Sequence, residues 1–110
     1  MNPTNVSAEA QLLLEKAQGS SAGRAAHMVV GGPQTEMTQT LIALTYQTRL
    51  DDHENPGEAT ILVLEGEVEL GTAEESWDAG KGDMLAIPDS RHHLIAKTDA
   101  VILLTSVKLG

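Results

Sequence analysis

The chain has 110 residues and a formal net charge of −9, from 7 Lys and Arg against 16 Asp and Glu. This length fits one domain. The acidic balance argues against binding to nucleic acid or to an anionic membrane, both of which need a basic patch. Aromatic residues make up 2% of the chain, which leaves no stacking platform for single strands. Because there is no cysteine, disulfides, thiolate metal sites and a cysteine nucleophile are excluded.

Residues 1–9 lack the basic start and the apolar stretch of a secretory signal. The longest apolar runs, such as residues 61–64 and 100–104, are far too short to span a bilayer. We therefore expect a soluble cytoplasmic protein that makes no contact with a membrane.

Residues 7–18 predict a short helix. Ser7 is a suitable N-cap, alanines and leucines recur on one side, and Gly19 is a suitable end. Residues 19–23, with the sequence Gly-Ser-Ser-Ala-Gly, form a flexible connector. We therefore divide the chain into an N-terminal helix and linker over residues 1–23 and a second unit over residues 24–110.

The second unit has the period of two that is typical of β-strands. Glycine, proline and aspartate turns separate its apolar segments, and Gly66 interrupts one of them as a bend or bulge. Nothing alternates strand with helix, which argues against a parallel α/β sheet. The pattern predicts an all-β sandwich or barrel, with strands at residues 24–30, 38–50, 59–70, 84–88, 92–97 and 100–108.

Two polar side chains lie on early strands of this unit. His27 is on the first strand, where we expect a structural role. Tyr46 shares the apolar face of residues 38–50 with Leu44 and Leu50. It therefore either lines a cavity, where its hydroxyl group would need a partner, or packs in the core.

The other three histidines lie near the beginnings of predicted strands. His53 opens the loop before one strand, and His92 and His93 begin a later one. Two strand entrances in a small barrel can face one mouth, so these imidazoles would share a cavity. A neutral imidazole is the commonest metal ligand, and a carboxylate completes such a site. Counting back by twos from Leu62 puts Glu58 on the same face, so Glu58 points into the cavity if that face looks inward.

Two stretches resemble the two sequence motifs of the cupins. His-Glu-Asn-Pro-Gly-Glu-Ala-Thr at residues 53–60, followed by Leu-Glu-Gly at 64–66, resembles the first motif. Gly-Asp at residues 82–83, Ile-Pro at 87–88 and the histidines at 92–93 resemble the second. The chain is most similar to small single-domain bacterial cupins of the RmlC-like superfamily, mostly of unassigned function. The resemblance implies an antiparallel β-barrel of the jelly-roll (double-stranded β-helix) type, with the short N-terminal helix packed outside, and a homodimer.

The resemblance also implies a set of metal ligands. In cupins, the first motif supplies two histidines and a glutamate to a divalent metal, and the second motif supplies one further histidine. His53 matches the first histidine, but Asn55 stands where the second is expected, and Glu58 is one position away from the glutamate. The further histidine corresponds to His93 or, as in short relatives, to His92.

Strand alternation distinguishes the last two histidines. It places His92 with Leu94 and Ala96, and His93 with Ile95. The first set is the more core-like. We therefore expect His92 to face inward and His93 to face solvent or to support the site from outside.

Two functional hypotheses follow. In the first, a divalent metal (Fe, Mn, Zn or Ni) sits in the barrel and acts on or binds a small organic acid or carbonyl compound. In the second, the barrel holds no metal and is a non-enzymatic module that binds a small molecule or dimerises to regulate a partner. The substitution at Asn55 and the displacement of Glu58 leave both open. The candidate metal ligands are His53, Glu58, His92 and His93, and the candidate ligand-binding residues are Tyr46 and Asn55.

Overall fold

The N-terminal helix, α1, spans Val6–Gln18. The side chain of Asn5 caps it by accepting a hydrogen bond of 2.9 Å from the backbone N–H of Ala8. At the other end, the N–H of Gly19 donates to the carbonyl oxygen of Glu15. The predicted helix is thus confirmed, one residue longer and with Asn5 in place of Ser7 as its cap.

The structure, a computed structural model, describes residues 2–53 and 57–108, with residues 52 and 53 described through their backbone. These residues form α1 and nine strands, and the predicted all-β fold is confirmed. The strands are β1 (Arg24–Val30), β2 (Met37–Leu44), β3 (Arg49–His53), β4 (Gly57–Glu65), β5 (Glu67–Gly71), β6 (Ser76–Gly80), β7 (Met84–Ala86), β8 (His92–Ala96) and β9 (Ala100–Lys108).

The strands form two antiparallel sheets. The five-stranded sheet has the order β1-β2-β9-β4-β7, and the four-stranded sheet has the order β3-β8-β5-β6. Strands that follow each other along the chain therefore often belong to opposite sheets, as in a jelly roll.

Two apolar clusters hold these layers together. The larger one lies between the two sheets and is built almost wholly of aliphatic side chains, with Leu44, Val63 and Leu94 among its most deeply buried members. The smaller one joins α1 to the outer face of the five-stranded sheet and includes Leu13 and Leu41. The five-stranded sheet is therefore buried on both faces in the region that the helix covers.

Two predicted strands are each split where the chain crosses between sheets. Residues 59–70 form β4 and β5 with Gly66 between them, at φ 77°. A Cβ atom at Gly66 would overlap the carbonyl oxygen of Asp99, so this crossing requires glycine for space as well as for conformation. The predicted strand at residues 38–50 was also wrong as a single element. It breaks after Leu44 at a turn in which Gln47 has φ 67°.

No helix in the described part of the chain is long and apolar enough to cross a membrane.

Candidate functional site

His92 is the first residue of β8 and points into the interior between the sheets. It is 2% exposed, and the burial of β8 alternates so that Leu94 and Ala96 share its face. His92 is the one buried polar or charged residue among the described side chains. His92 therefore faces inward, as expected from strand alternation.

A backbone group fixes the tautomer of His92. Its Nδ1 lies 2.8 Å from the carbonyl oxygen of Ser90, and a carbonyl oxygen can only accept a hydrogen bond. Nδ1 therefore donates, and in the neutral ring the lone pair is on Nε2, which is also buried. Metal-binding histidines are commonly oriented in this way, with the other ring nitrogen donating to a backbone carbonyl or a carboxylate. The contact of the Ser90 carbonyl group with His92 was not predicted from the sequence, where a serine two residues before a histidine carries no specific signal.

The backbone brings His53 opposite His92. In the β3–β8 ladder, Leu50 pairs with Leu94 and His53 pairs with His92. Two residues separate the β3 positions and one residue separates the β8 positions, so β3 carries a bulge here. The register thus joins the two remote motifs at one end of the barrel. The side chain of His53 lies outside the described part of the structure, as does Asn55 altogether.

Glu58 lies on the outer face of the five-stranded sheet, whereas His92 faces the interior from the four-stranded sheet. It pairs with Val107, and Leu62 of the same strand pairs with Leu103, whose side chain packs against the helix-facing cluster. The face that Leu62 and Glu58 share is therefore the outer face. The prediction that Glu58 points into the cavity required this face to look inward. It looks outward instead, and the side chain of Glu58 is exposed.

A half-open groove of about 540 Å³ lies on this outer face. Glu58, Thr60, Thr105 and Val107 line it, together with the backbone region after β7. Its lining is mixed in polarity, and no pattern in the sequence pointed to it.

His93 faces away from the interior, as alternation predicts. Its ring lies over Gly71, the residue opposite it in β5, where an added Cβ would come within 2.6 Å of the ring. His93 also lines a small surface pocket of about 200 Å³ with Arg49 and Arg91. Arg49 in turn lies 3.3 Å from a carboxylate oxygen of Asp51. These charged groups form a surface network outside the four-stranded sheet, apart from His92.

Tyr46 lies at the opposite end of β8 from His92. It is 61% exposed and occupies the turn between β2 and β3, where its N–H donates to Asp99. The expectation that it continues the inward face of Leu44 was wrong, because the turn at Gln47 ends the alternation. Tyr46 therefore does not line the interior.

The donor set that the described residues bring together is smaller than the full cupin set. Among described side chains, no group of three histidine, aspartate or glutamate residues could hold one metal ion. His92 fits a ligand by its tautomer, and His53 fits by its register. Glu58 and His93 do not fit, because each lies on an outer face. Among the described residues, His92 and the backbone position of His53 are thus the parts of the predicted ligand set that lie together.

Comparison with known proteins agrees with this architecture. The sequence model described as "Cupin domain" matches residues 41–107. A search of curated proteins gave no match.

Solved structures of low sequence identity share the fold. A conserved protein of unknown function from Streptococcus pyogenes aligns with a TM-score of 0.71 at 21% identity, covering 83% of this chain and 79% of that chain. A cupin superfamily protein from Desulfitobacterium hafniense aligns with 0.71 at 16% identity, covering 78% of each. An RmlC-like cupin from Desulfovibrio desulfuricans aligns with 0.65 at 27% identity, covering 74% of this chain and 79% of that chain.

The motif match spans most of the barrel, and the two facing sheets are those of the solved cupins. The chain belongs to the cupin family.

Proposed function

We propose that His53 and His92 form a two-imidazole site for a divalent metal ion at the end of the barrel where β3 meets β8. The observation that carries the proposal is their opposition in the β3–β8 register. Residues opposite each other in an antiparallel pair have Cα atoms roughly 4.5–5.5 Å apart. Two imidazoles at that spacing can reach one ion.

The environment of His92 supports this role. Its Nδ1 donates to the Ser90 carbonyl group, which holds the ring in one tautomer, with Nε2 as the ring nitrogen that can bind a metal. Because His92 is 2% exposed, a charge placed beside it interacts strongly with its imidazole. Asn55, two residues after His53, is the remaining candidate donor, through its amide oxygen.

Imidazole ligands suit Zn, Fe, Ni and, together with oxygen ligands, Mn. With two protein ligands, such an ion keeps open positions for a small organic acid or a carbonyl compound. When bound, the metal would supply Lewis-acid polarisation of an oxygen atom. The chain's own contribution is to orient the His92 ring through the Ser90 carbonyl group and to bring the backbone of His53 opposite it.

The experiment is elemental analysis of protein purified without chelator. We expect divalent metal in near-stoichiometric amount in the wild type and its loss in His53→Ala and His92→Ala. His93→Ala and His27→Ala are matched controls, because both remove an imidazole that lies away from the interior. Metal-free wild-type protein whose melting does not respond to added Zn, Mn, Ni or Fe would exclude this proposal.

A metal-free binding module is the second candidate, and the outward positions of Glu58 and His93 favour it. In this case His92 and its aliphatic surroundings bind a small acid or carbonyl compound directly. A ligand that binds only the folded state raises the melting temperature by mass action. We then expect small carboxylic acids to raise the melting temperature of chelator-treated wild type but not of His92→Ala. A shift that persists in His92→Ala would argue against binding at this site.

A further inference from the structure

A small pocket on the outer face of the four-stranded sheet gathers basic side chains. It is lined by Arg49 from β3, Arg91 from the segment before β8 and His93 from β8, together with Thr72 and Ala73 of the β5–β6 turn. We propose that this pocket binds the phosphate group of a small phosphorylated compound. The proposal concerns a second site and does not depend on the metal site, because His93 faces away from the interior.

The concentration of basic groups in this pocket contrasts with the acidic character of the chain. The formal net charge is −9, and the sequence contains three arginines, Arg24, Arg49 and Arg91. Two of the three line this one pocket. A guanidinium group carries a planar set of N–H donors that matches the oxygen atoms of phosphate and carboxylate groups. The pocket is thus a local site for an anion on a chain whose overall charge repels anions.

Strand pairing brings these side chains together. In the β3–β8 ladder Arg49 pairs with Ile95, and His93 lies two residues before Ile95 on β8. Arg49 and His93 are therefore diagonal neighbours on one face, roughly 7–8 Å apart, which is within the reach of long side chains. That face is the outer one, because Leu94 between them on β8 is buried in the interior. Arg91, just before the strand, lines the same pocket.

Two sides of the pocket are held in place by the fold. Gly71 pairs with His93 in the β5–β8 ladder, and an added Cβ at Gly71 would come within 2.6 Å of Cε1 and Nε2 of the His93 ring. The ring therefore occupies the space that a side chain at residue 71 would fill. The turn beside it is held by Thr72, whose Oγ1 accepts hydrogen bonds of 3.3 and 3.2 Å from the N–H groups of Glu74 and Glu75. This order lowers the entropic cost of binding a ligand.

The size and the donors of the pocket favour a phosphate group. Its volume is about 200 Å³, below the roughly 300–1,000 Å³ of pockets that hold whole drug-sized ligands, so it accepts one small group. A phosphate monoester has three strong acceptor oxygens and a charge of about −1.5 to −2 at neutral pH. Arg49, Arg91 and His93 can each donate to one of these oxygens, whereas a carboxylate has two oxygens and a single charge.

Asp51 is the group with which a phosphate competes. One of its carboxylate oxygens lies 3.3 Å from Nε of Arg49, and its side chain is 92% exposed. Exposed ion pairs contribute little, because water screens them and both side chains lose freedom. A doubly charged anion can therefore replace this contact, and removal of the Asp51 charge should tighten phosphate binding.

The test is titration of the wild type with inorganic phosphate, followed by amide ¹H–¹⁵N spectra. The salt concentration is about 0.15 M, where screening limits repulsion from distant acidic groups. We expect the signals of the pocket residues to shift until they saturate. Arg49→Gln and Arg91→Gln should each weaken binding roughly tenfold, because one charge-assisted hydrogen bond is lost. Asp51→Asn should tighten binding roughly threefold, because a competing carboxylate is removed.

Lys97→Gln and Asp78→Asn are the matched controls. They change the net charge by the same amounts, at an ion pair that does not line the pocket, and should leave the phosphate affinity unchanged. Equal effects of the two sets of variants would reveal a general response to net charge and would overturn the proposal. A wild type whose spectrum responds to phosphate no more than to chloride would also overturn it. Malonate that binds as tightly as phosphate would overturn the assignment to a phosphate group.

Discussion

His53 lies opposite His92 because β3 contains one residue more than β8 between this pair and the Leu50–Leu94 pair. In a regular strand, the third residue after Leu50 would lie on the opposite face from Leu50. The bulge restores the face, so that the backbone of His53 occupies the register position across from an inward-facing histidine. The local irregularity is therefore what joins the two sequence motifs into one candidate site.

Removal of the bulge provides the first prediction. Deletion of Asp52 leaves one residue between Leu50 and His53, as between Leu94 and His92, so β3 becomes regular while His53 stays opposite His92. We therefore expect this variant to bind divalent metal like the wild type, whereas deletion of both Asp51 and Asp52 shifts the register by one residue and should weaken binding at least about tenfold. Titration with Zn or Ni by calorimetry measures this. Loss of binding in the single deletion, or wild-type affinity in the double deletion, would mean that the β3–β8 register does not position the site.

Gly71 and His93 provide a second prediction. An alanine Cβ at Gly71 would come within 2.6 Å of the His93 ring, so Gly71→Ala forces the ring to move. We expect a loss of roughly 1–3 kcal/mol in the free energy of unfolding, the usual cost of overpacking. In a His93→Ala background the conflict is absent, so the same substitution should cost little.

Urea unfolding of the four proteins in this cycle gives the coupling energy. Additive effects of the two substitutions would show that the His93 ring does not occupy the space over Gly71.

The pair formed by Lys97 and Asp78 provides a prediction about pH. Their side chains lie 3.2 Å apart, and the hydrogen bond and charge of Asp78 raise the pKa of Lys97 above its ordinary value of 10.5. Because the pKa is raised in the folded state, the pair stabilises fully below pH 10.5 and loses its effect as pH rises through the folded value. Asp78→Asn should lower the pKa of Lys97, as observed by NMR titration of its side chain. The control Glu74→Gln, at an exposed position in the β5–β6 turn, should leave that pKa unchanged.

The raised pKa of Lys97 also determines how the stability difference between wild type and Asp78→Asn depends on pH. The difference between wild type and Asp78→Asn should be constant around neutral pH and should shrink above pH 10.5. Both side chains are substantially exposed, so the difference itself should be small. A difference that grows as the pH rises above that value would contradict the assignment.

The sequence predicted the orientation of His92 because β8 is short and regular. Leu94 and Ala96 follow His92 at steps of two, and all three are buried. The face of Glu58 could not be predicted in the same way. β4 belongs to a sheet that is covered on both sides where α1 packs, so Leu62 on the outer face looks as apolar as Ile61 on the inner face.

Two further features were not visible in the pattern. Leu50 is the sixth residue after Leu44, which is an even step, so the period of two in the sequence continues through Tyr46. The turn at Gln47 instead carries the chain into the other sheet. Similarly, no residue type marks the bulge in β3, because Asp51 and Asp52 are compatible with either register. Both features depend on pairing with distant strands, which a local pattern does not contain.

The most direct test of the two-imidazole site is an NMR experiment on protein with ¹⁵N-labelled histidine. Long-range ¹H–¹⁵N spectra report the tautomer and metal contact of each ring separately. On stoichiometric addition of Zn to chelator-treated wild type, we expect the ring nitrogens of His53 and Nε2 of His92 to shift together, while those of His27 and His93 stay unchanged. Zn-dependent shifts of His92 without His53, or of neither, would contradict the claim that these two residues hold one metal ion.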